Sequence, residues 1–293
     1  MIRKQGAIIL ITSLALLVAA CSGSQTEPPR QQAGPTSSSP SPKTQTVAPP
    51  KEAPHWSYEE AEGPAKWSTL SANWKVCGDG RSQSPIDIDK IAKLDLPALK
   101  AEFKPASLKI IHHEHVADAI NNGHSIQVNY TEGDTLKIGD QQYQLLQYHF
   151  HSPSEHTVAG KHFPMEMHLV HKAADGKLAV IGVFIEEGRH NAAFDPIWSN
   201  LPKTKSTEYH LENVKVDVSS LLPTRTTSYR YDGSLTTPPC SEGVKWIIMT
   251  TPIQLSTQQI SAFRTIMKGN NRPVQALNGR SVVTDRIAET AAK

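Results

Sequence analysis

From residue 108 to residue 250 the chain is cut into strand-length pieces. Runs at 108–111, 125–130, 143–151, 165–171, 179–185, 215–218 and 244–250 alternate in polarity or are rich in β-branched and aromatic residues. Turn-forming residues stand between them, among them Asn122-Gly123, Glu132-Gly133-Asp134, Gly139-Asp140 and Asp175-Gly176. The piece 179–185 is apolar throughout, which suits a strand covered on both faces. One helix signal is clean. Ser256-Thr257-Gln258-Gln259 has capping-box form, Ile260, Phe263, Ile266 and Met267 follow at helical spacing, and Gly269 stops the pattern. These features predict an all-β or β-dominated single domain with short peripheral helices.

The N-terminal segment reads as an address. Arg3 and Lys4 precede an apolar run at 7–20 that is shorter than the ~20 residues a bilayer span needs. The run closes Val18-Ala19-Ala20-Cys21, the form of a bacterial lipobox, so 1–20 is expected to be a lipoprotein signal peptide and Cys21 the acylated mature N-terminus. An ordinary signal peptide that leaves Cys21 free is the alternative. Residues 22–54 hold eight prolines and, in Val47, one large aliphatic residue, too little to nucleate a core. They read as an extended tether ahead of a domain at 55–290. The net charge of +2 vanishes with Arg3 and Lys4, leaving a neutral chain suited neither to nucleic acid nor to charge-driven membrane binding. The expected place is exported, periplasmic or cell-surface, held to a membrane by lipid.

Thirteen histidines are many for 293 residues, and their spacing carries chemistry. In Gln147-Tyr148-His149-Phe150-His151 strand alternation points His149 and His151 the same way, roughly 6.6–7 Å apart along the strand. Two imidazoles so placed can converge on one ion at roughly 2.0–2.1 Å. Met165-Glu166-Met167-His168-Leu169-Val170-His171 supplies a third, with His168 on the face of Glu166 and Val170 and His171 on the other. Three neutral nitrogen donors with an open position are the pattern of catalytic zinc. Gln147 and Glu166, each two residues before a candidate ligand, could hold the far imidazole nitrogens. A surface histidine pair fits the His-x-His motif as well, so at this point both readings stand.

Taken together, the motifs carry a resemblance. His55-Trp56-Ser57-Tyr58, Gln83-Ser84-Pro85-Ile86-Asp87-Ile88, Asn121-Asn122-Gly123-His124, 147–151, Ser154-Glu155-His156-Thr157-Val158, 166–171 and Gly233-Ser234-Leu235-Thr236-Thr237-Pro238-Pro239 are similar, in order, to the landmarks of α-class carbonic anhydrases. The resemblance implies a fold built on a large central, mostly antiparallel twisted β-sheet. It implies Zn2+ held by His149, His151 and His168, and reversible hydration of CO2 to bicarbonate and a proton by zinc-bound hydroxide. By the same resemblance Thr236 donates to Glu155 and orients the nucleophile, His124 is the proton shuttle on the cavity wall, and Gln147 and Glu166 hold the ligands. Val170, Val180, Leu235 and Trp246 match the apolar wall for CO2. Thr237, Tyr58 and Gln127 match polar cavity positions that order water, and Ser84 and Tyr231 a buried hydroxyl network. A Cys77–Cys240 disulfide is implied in the same way, and suits an oxidising compartment.

Rival readings lack their motifs. Neither His-Glu-x-x-His nor His-x-Glu with Pro-Cys-x-x-Cys occurs, so zinc proteases and deaminases have no base here. A non-catalytic binding module on the same fold is expected to lose ligand histidines, and all three are present. A glycan- or host-binding role stays open as an added function. His112-His113-Glu114-His115 reads as a solvated edge cluster. Monomer and homodimer are equally compatible with the sequence.

Overall fold

The structure, a computed structural model, describes residues 54–94, 99–102, 106–113, 124–130, 133–203 and 208–285. The expected signal peptide, Cys21 and all of the tether but its last residue lie outside these, as do Glu114 and His115. Short strands β1 (Asp87–Ile88), β2 (Ile91–Leu94), β3 (Leu99–Glu102), β4 (Ala106–His113), β5 (Ser125–Asn129) and β6 (Thr135–Ile138) come first. They lead into β7 (Gln141–His151), β8 (Thr157–Val158), β9 (Lys161–His162), β10 (Met165–Ala173) and β11 (Leu178–Glu187). The chain then adds β12 (Glu208–Val216), β13 (Ser228–Ser234), β14 (Glu242–Leu255) and β15 (Val282–Asp285). Helices are few and short among the described residues: α1 (Trp67–Leu70), α2 (Val76–Asp79), α3 (Asp195–Trp198) and α4 (Thr257–Ile266). None is long and apolar enough to cross a membrane.

One large sheet runs β12-β4-β5-β7-β10-β11-β14-β13-β15-β2, with β6 and β3 paired beyond β7, while β1, β8 and β9 form a small second sheet. Most pairs are antiparallel; β11–β14 and β15–β2 in the large sheet and β1–β8 in the small one are parallel. The mainly β expectation therefore holds. Two departures have local causes. Helix α4 has the full Ser256–Gln259 capping box but ends at Ile266, before Gly269, because Met267 already leaves helical backbone (ψ 111°). The run at 215–218 is the end of a longer strand, and Val218 opens a 3-10 turn capped by Asp217. Strand β13 was not expected, although Tyr229 and Tyr231 alternate with Ser228, Arg230 and Asp232 at strand spacing.

Both faces of the central strands are covered, so the alternation along β10 sorts two cores rather than core from solvent. Tyr148, Phe150, Met165, Met167, Leu169, Ile181, Val183, Ile247 and Met249 belong to the larger core, joined by Ile260 and Phe263 of α4. Val170, Val180, Phe184, Tyr231, Trp246 and Ile248 belong to the smaller core, on the face that carries the site.

His171 is buried on the opposite face, as the alternation predicts. Burial pushes its imidazole down to about 4, despite hydrogen bonds to the Leu169 and Ala179 backbone. The unfolded chain takes up a proton there below pH ~6.5, and the folded chain resists until about 4. Stability from this group is therefore complete above pH ~6.5 and is lost as pH falls toward 4, by about 3 kcal/mol. Urea unfolding at pH 7 and 4.5 checks this. An equal pH loss in wild type and His171→Gln would refute it.

Candidate metal centre

Cross-strand register assembles the site. His168 of β10 lies directly opposite His149 of β7, and Glu166 opposite His151. Gln147 faces Val170, so Gln147, His149, His151, Glu166, His168 and Val170 share one face. A bulge after Val170 shifts the pairing so that His171 meets Leu145. On the next strand Gly182 stands opposite His168. A Cβ there would sit 2.5 Å from Ile248 Cδ1 and 3.1 Å from Glu166 Oε1, so a side chain at 182 would press on Ile248 and crowd the carboxylate.

Each imidazole is held by one nitrogen and offers the other. His149 Nδ1 meets Gln147 Oε1 at 2.7 Å, and His168 Nε2 meets Glu166 Oε1 at 2.8 Å, the two pairings expected from sequence. His151 Nδ1 meets the backbone carbonyl of Asn270 at 2.6 Å, a partner the sequence reading did not find. Since each acceptor carries no proton, the ring N–H must point to it, and the lone pairs remain on His149 Nε2, His151 Nε2 and His168 Nδ1. The three histidines are buried, and each places a ligand atom within 4.8 Å of the others. His151 Nε2 is buried without a hydrogen-bond partner. Burial holds the His151 imidazole below its usual value, favouring the neutral, ligating form. This buried His151 lone pair, within 4.8 Å of ring nitrogens of His149 and His168, fits a cation that takes nitrogen donors.

Glu166 ties this cluster together. Oε1 also receives His156 Nδ1 at 2.7 Å, and Oε2 accepts the backbone N–H groups of Glu155 and His156 at 2.9 and 2.8 Å. Burial alone would raise this carboxyl, but His156 and His168 outweigh it and hold it well below the usual range. His156 Nε2 in turn meets Tyr231 Oη at 2.6 Å, and Tyr231 donates to Ser84 Oγ at 2.9 Å, so the hydroxyl network exists and reaches the ligand set. With both His156 nitrogens and both Glu166 oxygens engaged, His156, Glu166 and His168 make a hydrogen-bonded relay rather than a second ion site.

Glu155 is fully buried, and its Oε1 accepts the backbone N–H of Arg272 at 2.8 Å. The bond expected from Thr236 is not formed. Glu155 Oε2 has no hydrogen-bond partner and instead faces the imidazoles, 3.6 Å from His151 Nε2 and 3.8 Å from His168 Nδ1. Thr236 and Thr237 are buried on the loop after β13, and the Cys240 N–H closes that loop onto the Thr237 carbonyl. Cys240 is bonded to Cys77, as expected. Val170, Val180 and Trp246 are buried together with Leu235 packed against them, and the Trp246 ring meets His168 edge-on at 4.9 Å.

His124 is not an open wall residue. Its ring is 3% exposed and stacked on Trp56 at 3.6 Å. The Asn270 side chain donates to the His124 carbonyl, so one residue braces both His151 and His124. Tyr58 packs edge-on against His124, and its hydroxyl and Gln127 Oε1 are buried without a protein partner. Gln127 pairs opposite His149 and donates to Asn129. His112 and His113 belong to β4, opposite Ile126 and Ser125.

Residues 62–286 match the family model described as eukaryotic-type carbonic anhydrase. The chain belongs to the α-carbonic anhydrase family. It is an enzyme of that class, and CO2 and bicarbonate are the substrates membership implies. A carbonic anhydrase from Pectobacterium carotovorum is 42% identical over 232 residues, covering 78% of this chain and 90% of the relative. Among solved structures, the α-carbonic anhydrase from Thermovibrio ammonificans in complex with the inhibitor sulfanilamide is 38% identical with a TM-score of 0.73. It covers 79% of this chain and 99% of that one. Dioscorin complexed with ascorbate also matches, at 30% identity and TM-score 0.68, over 78% of this chain and 97% of that one.

Asn270, Arg272 and His156 are the α-carbonic anhydrase site residues missed from sequence. His156 lay within a motif already singled out, next to Glu155. Asn270 and Arg272 follow the Gly269 stop in Asn270-Asn271-Arg272-Pro273, where nothing local reveals that they turn back onto β7.

Proposed function

We propose that His149, His151 and His168 hold Zn2+ and that the chain catalyses reversible hydration of CO2, with His124 relaying the proton. The convergence of three buried imidazole lone pairs, each set by a hydrogen bond at the far nitrogen, carries this reading. Bound zinc supplies a Lewis acid that makes hydroxide accessible near neutral pH. The protein supplies the rest. Val170, Val180, Leu235 and Trp246 offer CO2 an apolar wall beside the ligands. The Thr236 hydroxyl, not bonded to Glu155 in this structure, would donate to the buried Glu155 Oε2, which has no other hydrogen-bond partner. That bond would commit the Thr236 proton to Glu155 and leave Oγ1 able only to accept, selecting a nucleophile with a proton to give. Thr237, Tyr58 and Gln127 line the polar side, and neutral His124 takes up the released proton.

Stopped-flow CO2 hydration with a pH indicator, before and after metal removal by a chelator, tests the proposal. Hydration is expected to fall to the buffer rate on metal removal and to return with added zinc. A folded, zinc-loaded chain no faster than buffer would defeat it and leave a binding module on this fold.

A further inference from the structure

We infer that His55, braced by Glu62, is the outlet through which the proton leaves His124 for solvent; this rests on the shuttle role proposed above. His124 is 3% exposed and has Trp56 against one ring face at 3.6 Å with 8° between planes, so it delivers poorly to buffer directly. Tyr58 stands edge-on at 5.8 Å, and burial holds its phenol well above its ordinary range, closing that side to proton exchange near neutral pH. Among the described side chains, the His55 imidazole stands close by, its ring centroid 6.4 Å from that of His124. That distance is within reach of transfer through one water. The His55 side chain is 59% exposed, so it meets bulk buffer.

Glu62 makes this histidine more than an exposed side chain. The chain turns at 57–62, where the Ser57 N–H donates to the Glu62 carbonyl at 3.0 Å, and brings the carboxylate back beside His55. Glu62 Oε2 lies 2.6 Å from His55 Nδ1. With Nδ1–H donating to Glu62 Oε2, Nε2 is left as the ring nitrogen that can accept a proton. The step balances without electron transfer: the His124 imidazolium loses one proton, His55 Nε2 gains one, and buffer removes one from His55.

Proton exit follows the conversion of CO2, so it limits kcat and not kcat/KM. His55→Ala is expected to lower kcat several-fold in dilute buffer with kcat/KM unchanged, to be restored by added imidazole, and to add nothing to a His124→Ala background. Glu62→Gln is expected to share part of the loss. If His124→Ala shows the rescued kcat loss and His55→Ala does not, the outlet is wrong and the shuttle stands. If neither variant changes kcat, the shuttle reading falls and this one with it. A parallel drop in kcat and kcat/KM for His55→Ala would mark a structural effect and overturn the outlet.

Discussion

Glu166→Ala is expected to weaken zinc binding by roughly 10- to 100-fold and to destabilise the fold by about 3–5 kcal/mol. The carboxylate accepts four hydrogen bonds, from the His168 and His156 rings and from the Glu155 and His156 backbone. All of these groups are buried, so alanine strands four donors without replacing any. His168 also loses the acceptor that keeps its proton on Nε2 and its lone pair on Nδ1, which is why the metal suffers together with the fold. Glu166→Gln should fall between the two, because the amide keeps an acceptor for the rings and turns a donor toward the two backbone N–H groups. Competition with a chelator and guanidinium unfolding measure the two effects separately. Wild-type metal affinity in a folded Glu166→Ala protein would sink the argument.

Breaking the Cys77–Cys240 bond carries the other large effect. The bond closes a loop of 163 residues, for which chain entropy assigns about 5 kcal/mol of stability. The expected loss is concentrated near the site. The Cys240 carbonyl accepts from Gln83, and the Cys77 carbonyl accepts from the Arg272 guanidinium, whose backbone N–H holds Glu155 Oε1. Arg272 is itself 1% exposed, bonded to Gln83 and Ser84 and stacked over Trp67, so the bridge and this cation lock the loop of Thr236 and Thr237 to the Glu155 segment. A Cys77→Ser/Cys240→Ser protein should therefore unfold at markedly lower denaturant and lose kcat/KM while still binding zinc. That separation follows because neither cysteine touches His149, His151 or His168. Unfolding curves of the oxidised and double-serine proteins, with metal content measured alongside, decide it. Overlapping curves would show that the loop is held by hydrogen bonds alone.

Three of the four central sequence inferences were local and transferred intact. His149 and His151 share a face because strands alternate, Gln147 reaches His149 because it stands two residues away, and Glu166 reaches His168 for the same reason. The capping box of α4 is equally local. The fourth inference, that Thr236 bonds Glu155, depended on how two loops far apart in sequence settle, and the carboxylate oxygen faces the imidazoles instead.

Periodicity and short-range partners, then, were determined by the amino-acid sequence: which histidines face together, which face His171 takes, and which acceptors lie two residues from a ligand. Tertiary structure alone decided that His151 is held by a carbonyl 119 residues away, that His156 shares Glu166, and that Trp56 covers His124. The physical reason is that a strand's two-residue repeat is set by its own backbone. Contacts between a closing loop and a distant strand are set by how the whole sheet and its flanking segments pack, and no repeat in the sequence encodes that distance.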